Sequence, residues 1–222
     1  MLERISSGIP GLDPLIQGGI PKNSSVFVSG PPGSGKSILG LQYLFDGARK
    51  KEPGLYVTLE SNIDTLKEQA EAFGWNPKDL NFVSYPISDL QSVDVMQDVY
   101  DKVMFEFKPK RLVFDSLTTY NEFSLPRLLT KEKVPESIGG RYSTHLLLQN
   151  IASIGSVTSM FLCEKTADID LGEFLCDGVI ELSQSFVGST FSRKLRVPKM
   201  RLTQIDSSWR SFSISRKGIS LG

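Results

Sequence analysis

The octapeptide Gly30-Pro31-Pro32-Gly33-Ser34-Gly35-Lys36-Ser37 constrains this chain more than any other stretch, because it fits G-x-x-x-x-G-K-[ST] at every fixed position. Ahead of it, Ser25-Val26-Phe27-Val28-Ser29 is a β-branched and aromatic run that ends at Gly30. Behind it, Ile38, Leu41, Leu44 and Phe45 recur at helical spacing between Ser37 and Ala48. Strand, glycine loop and helix in that order are the setting in which such a string binds phosphate. The glycines let the loop curl so that successive N–H groups face inward, and the helix N-terminus adds the positive end of its dipole. A nucleotide, ATP above all, is the expected ligand, cradled by Pro32, Gly33, Ser34, Gly35, Lys36, Ser37 and Ile38. Lys36 is placed to reach the β- and γ-phosphates and the Ser37 hydroxyl to ligate magnesium. A glycine turn of no chemical meaning is the bland alternative, and the strand–helix context weighs against it.

The same alternation continues downstream. Leu55 to Leu59, Asn81 to Tyr85, Arg111 to Phe114 and Thr158 to Cys163 read as strands; Asn62 to Phe73, Ser92 to Phe107 and Ser143 to Ser153 read as helices. Strands alternating with helices imply an α/β fold with a mostly parallel sheet covered on both faces. After Asp177 the helices stop, and Gly178 to Ser183, Arg193 to Thr203 and Trp209 to Arg216 form an antiparallel C-terminal extension. Phe212 and Ile214 alternate there with serines, the period of a half-buried strand. Pro198 removes a ladder donor, which predicts an edge strand or a bulge. The Thr119 to Gly140 region fits no element and its length suggests a functional loop.

Two strand-ending acids complete the nucleotide chemistry. Asp115 closes Arg111-Leu112-Val113-Phe114 and is assigned to the metal; Glu60 closes Leu55 to Leu59 and is assigned to the attacking water. Their bland alternatives are a cap on the turn after Asp115 and an acid at the start of the Asn62 helix.

With 222 residues, 25 Lys+Arg against 25 Asp+Glu and 40% hydrophobic content, the chain suffices for one folded domain over 1–222. No window of about 20 residues is apolar enough to span a bilayer. Met1 to Gly8 carry Glu3 and Arg4 and lack the apolar run of a secretory signal, so a cytoplasmic setting without a membrane partner is expected. Cys163 and Cys176 have no metal-ligand spacing, which argues against zinc. Zero net charge disfavours a constitutive nucleic-acid binder. It is nevertheless a cancellation: residues 182–222 hold eight basic residues and one acid, a charge of +7 against −7 in the rest. That split suits head-to-tail self-association and reopens nucleic acid as a partner.

At these residues the chain resembles the KaiC-like branch of the RecA superfamily of P-loop ATPases, over nearly all its length. Ile5-Ser6-Ser7-Gly8-Ile9-Pro10-Gly11-Leu12-Asp13 and Gly18-Gly19-Ile20-Pro21 are similar to the segment leading to the loop. Asp115-Ser116-Leu117-Thr118 resembles the Walker B block, Asp177 to Leu182 a late strand, and Lys199-Met200-Arg201 the K-x-R strand. The resemblance implies a RecA-like core, Mg2+ dependence and a homo-oligomer, a ring such as a hexamer or a filament, with ATP between neighbours. In such assemblies Lys199 and Arg201 would act on the phosphates of the next subunit. Period two independently puts both on one face of their strand. Two departures stand out: Glu60 is followed by Ser61 where many members carry a second acid, and the Gly and His after K-x-R are replaced by Leu202 and Gln204-Ile205-Asp206. Slow hydrolysis coupled to assembly or to an unidentified protein partner is the resulting expectation. The alternatives are a RadA-paralogue-like accessory factor that binds single-stranded DNA in recombinational repair, and an ATP sensor without turnover. His145 is read as a packing or surface residue and Phe73, Trp75 and Trp209 as core or element-end anchors, and the Asn121 to Gly139 and Lys165 to Cys176 loops are too weakly basic to argue for DNA.

Overall fold

Alternation along Ser25–Gly30 sets the layers: Val26 and Val28 enter one apolar cluster while Phe27 enters the other. A computed structural model of the chain describes residues 2–90, 94–123, 136–164, 170–187 and 190–222. In chain order its strands are β1 (Arg4–Ile5), β2 (Ile20–Pro21), β3 (Ser25–Gly30), β4 (Gly54–Thr58), β5 (Asn81–Ser84), β6 (Arg111–Asp115), β7 (Thr158–Glu164), β8 (Gly178–Val187), β9 (Thr190–Met200), β10 (Arg210–Ser215) and β11 (Gly218–Leu221). The helices are α1 (Lys36–Arg49), α2 (Ile63–Ala72), α3 (Val95–Asp101), α4 (117–123), α5 (Glu136–Ser153) and α6 (Asp170–Leu175).

Nine of these strands form one sheet in the order β11-β10-β9-β8-β3-β7-β6-β4-β5. From β8 to β5 neighbouring strands run parallel, so Gly178 to Ser183, expected in the antiparallel extension, joins the parallel core through β3; β9, β10 and β11 are antiparallel, as the loss of helices after Asp177 predicts. On one face α1 packs Leu39, Leu41, Tyr43, Leu44 and Phe45 against Val26, Tyr56, Val113 and Leu162. On the other, Val95 and Val99 of α3 and Leu147, Leu148 and Ile151 of α5 cover Phe27, Val57, Phe114 and Phe161. Among the described residues no helix is long and apolar enough to cross a membrane.

Several boundaries differ from expectation for local reasons. The helix expected from Ser92 begins at Val95, where the Asp94 side chain accepts from the Gln97 amide, and Lys102–Phe107 continue it as a π-helical turn. Ser92 lies outside the described residues. In the Thr119 to Gly140 region, α4 and the start of α5 are helical and 124–135 lie outside the described residues; in the Lys165 loop, 170–175 are helical and 165–169 lie outside. β10 pairs with β9 only at Arg193, Lys194 and Leu195, so Pro198 lies where β9 has β8 alone as a ladder neighbour. There Val179 faces Lys199 while Glu181 faces Arg196, a bulge beside Pro198. Trp75 is buried in a stack with Phe45 and Phe73. Trp209 stands at an element end, directly before β10, 40% exposed with the Arg196 guanidinium over its ring.

Arg111, the first residue of β6, is fully buried. Its Nε donates to Glu52 at 2.6 Å, its Nη1 to the Tyr43 and Ser6 carbonyls at 2.8 and 3.0 Å, and Asp46 lies 3.3 Å away. This ion network ties the N-terminal segment, α1 and the sheet together at the end opposite the glycine loop.

Candidate active site

The glycine loop leaves the C-terminal end of β3, and the strands beside it end in acids. In the order β3, β7, β6, β4 the top of the sheet carries Gly30, Glu164, Asp115 and, two residues past β4, Glu60. Gly35 holds φ at +103° as it precedes α1, a conformation open to glycine, and a Cβ on Gly30 would sit 2.7 Å from Ser34 Oγ and 2.9 Å from Leu182. The loop is therefore shaped by its glycines as the sequence implied.

Lys36 Nζ donates to the Gly30 and Pro31 carbonyls at 2.8 and 3.1 Å, folding the ammonium back over the loop. Burial lowers its pKa, and Glu164, Asp115 and Glu60 oppose that shift by their charge. Among the described residues Ser34 Oγ is buried without a hydrogen-bond partner, while the Ser34 amide donates to the Pro31 carbonyl at 3.2 Å within the glycine loop. An orphaned hydroxyl in such a cradle fits a polyphosphate.

Ser37 Oγ donates to Asp115 Oδ2 at 2.9 Å and the Tyr56 hydroxyl to the same oxygen at 2.5 Å. Asp115 thus points at the serine of the loop and caps nothing; Ser116 Oγ accepts from the Thr119 amide instead. A hard-oxygen pair of hydroxyl and carboxylate suits Mg2+. Asp115 is 3% exposed, and burial raises its pKa. Because the folded value exceeds the usual one, the charged form at neutral pH weakens folding, and that cost disappears below the usual carboxylate range. Asp115→Asn is therefore expected to raise the melting temperature of the ligand-free protein by about 2–4 °C at pH 7, the shift produced by ~1 kcal/mol in a chain this long. Calorimetry at pH 7 and at pH 3.5 checks it: the gain should vanish at the lower pH.

Glu60 is exposed beyond β4, with its Oε1 accepting from Thr119 Oγ1 at 2.7 Å and from Ser116 Oγ. Asn62 supplies the cap of α2, accepting from the Asp64 amide at 2.9 Å, so Glu60 has no capping duty. Beside it opens a cleft of about 650 Å³ lined by Leu59, Ile63, Tyr85, Pro86 and Ile87 among others.

Two members of this constellation are missed in the sequence: Glu164, although it ends an apolar run as Asp115 does, and Tyr56. Glu164 ends the strand adjacent to the loop strand, level with Gly30, its amide donating to Thr118 Oγ1 at 2.9 Å. Tyr56 lies in mid-strand and reads as core. Strand order, which places β7 between β3 and β6, brings in the first; the cross-strand approach to Asp115 brings in the second.

Lys199 and Arg201 are not near the loop of their own chain. Lys199 is level with Val179 and Phe27, three residues or about 10 Å below Gly30 on the sheet. Its ammonium donates to the carbonyls of Glu173, Phe174 and Cys176 at 2.9, 3.0 and 2.7 Å, closing the C-terminus of α6. Burial, then the neighbouring Arg201 charge, lowers its pKa. Arg201 Nη1 lies 3.2 Å from Asp177 Oδ1 and the side chain is 56% exposed.

The model of the KaiC ATPase family matches residues 5–222. A UPF0273 protein of Thermotoga maritima is 31% identical, the alignment covering 99% of this chain and 96% of that one, and a UPF0273 protein of Aeropyrum pernix is 28% identical over 99% and 93%. Among solved structures, a KaiC-like protein of Pyrococcus horikoshii OT3 superposes with a TM-score of 0.83 at 27% identity, over the full length of both chains.

Proposed function

The chain belongs to the KaiC ATPase family, and from that premise we propose that it binds Mg-ATP in the Gly30–Ser37 loop and hydrolyses it slowly. The observation that carries this reading is the convergence of Lys36, Ser37, Asp115 and Glu60 from three strand ends on one loop whose Ser34 hydroxyl has no partner. The loop amides and Lys36 would hold the β- and γ-phosphates, Lys36 leaving the Gly30 and Pro31 carbonyls to do so. Magnesium, held by Ser37 with Asp115 behind it, would offset the phosphate charge. Glu60 would orient a water for in-line attack on the γ-phosphorus and take its proton as the bond to ADP breaks. Ser116 and Thr119 fix the carboxylate for that task. Ser61 stands where many members carry a second acid, and the missing carboxylate supports low turnover.

Because Lys199 and Arg201 sit far from their own loop, they can serve an ATP only in a neighbouring copy. Arg201, more exposed, is the better placed of the two; Lys199 is committed to α6. Turnover would then rise with protein concentration, as a site shared between copies requires. The test is phosphate release by the purified protein against Lys36→Ala, together with ATP binding by calorimetry. Loss of both in the variant supports the reading. Wild-type release at the variant's background would leave a nucleotide-binding protein without turnover, and wild-type failure to bind Mg-ATP would refute the proposal entirely.

A further inference from the structure

Leu202, directly after Arg201, is a double anomaly. It is 80% exposed, and its φ of +55° is one that a leucine rarely adopts. Its carbonyl accepts from Arg4 Nη2 at 3.1 Å in the turn after β9, a backbone contact that any residue could make and that leaves the side chain outside. Leu202 stands where the resembling family carries glycine, the residue that suits such a φ. Strain of this kind persists where something else exploits it. Phe174, whose carbonyl accepts from Lys199, is a second exposed apolar side chain, 77% accessible.

At the other end of the sheet the cleft beside Glu60 has complementary character. Leu59, Ile63, Pro86 and the 51% exposed Ile87 give it apolar walls, and Glu60 and Asp64 stand at its border with Lys67 paired to Asp64 at 3.7 Å. Successive Cα atoms are about 3.8 Å apart. A leucine seated in this cleft therefore carries the preceding arginine to within reach of Glu60 and of a γ-phosphate beside it.

We propose that Leu202 of one copy docks into the Glu60 cleft of the next copy of this chain, and that this contact positions Arg201 at the neighbour's nucleotide. The occupant is a second copy because the exposed Arg201 beside the knob matches the acids bordering the cleft, and because the +7 C-terminal segment and the −7 remainder favour head-to-tail contact. The inference rests on the shared-site reading above and adds to it a chain-specific anchor.

Sedimentation with Mg-ATP at graded protein concentrations tests it on five proteins: wild type, Leu202→Gly, Ile87→Asp, the variant combining these two, and Arg201→Ala. Melting temperatures are recorded for each. Leu202→Gly should melt no lower than wild type, since glycine accepts its φ, yet need at least tenfold more protein to associate. Ile87→Asp should weaken association similarly, and combining the two should add little. If Leu202→Gly associates as well as wild type, the docking contact is wrong. If in that case Arg201→Ala still impairs association or concentration-dependent turnover, the shared site survives without it. If wild type stays monomeric with Mg-ATP, both fall.

Discussion

Replacing Glu60 by glutamine is expected to lower the rate of phosphate release by about 10²–10⁴-fold while leaving Mg-ATP binding within about twofold of wild type. The glutamine keeps the shape and retains an oxygen able to accept from Ser116 and Thr119, so the segment after β4 should not rearrange. What disappears is the ability to take a proton from the attacking water. Binding rests on other groups, the loop amides with Lys36 and Ser37, which Glu60 does not touch. Single-turnover phosphate release and calorimetric titration separate the two effects. An undiminished rate would move the water-activating role elsewhere, with Glu164, also charged and facing Lys36, next in line.

The second large effect concerns stability at the opposite end of the sheet. Arg111→Ala should destabilise the fold by roughly 3–5 kcal/mol, a fall in melting temperature on the order of 10 °C, because it strips a buried cation from Glu52 and Asp46 and opens a cavity under α1. The guanidinium also lies 4.7 Å from the Tyr43 ring centre, and its aliphatic end would meet a Cβ on Gly47 at 2.5 Å, so the site is closely packed. Arg111→Met, which refills the volume without the charge, should recover part of the loss. Denaturant melts of both variants check this; a loss below ~1 kcal/mol for the alanine variant would mean the network contributes little to folding.

Arg111 also marks where sequence reading stops. An arginine opening a strand reads as solvated, since charged residues are rarely fully buried, and only the assembled neighbours Glu52, Asp46 and Tyr43 make its burial tolerable. The loop and its flanking strand and helix were legible because every determinant lies within 25 residues of chain. Asp115 and Glu60 were legible because each ends an apolar run. Glu164 does the same, yet its importance depends on β7 lying next to β3, a fact of strand order. β1 and β2, two residues each, are too short to show a period, and β11 exists through pairing with β10. The period that put Lys199 and Arg201 on one face said nothing about α6, whose carbonyls engage Lys199.

The most direct measurement is a crystal structure with magnesium and a non-hydrolysable ATP analogue. The account predicts the β- and γ-phosphates on the Gly30–Ser37 amides with Lys36 turned from the Gly30 and Pro31 carbonyls onto them. It also predicts the metal on Ser37 with Asp115 behind it, and a water between Glu60 and the γ-phosphate. An analogue bound elsewhere, or a bound analogue with Lys36 still on its own carbonyls and Glu60 turned away from the γ-phosphate, would contradict it.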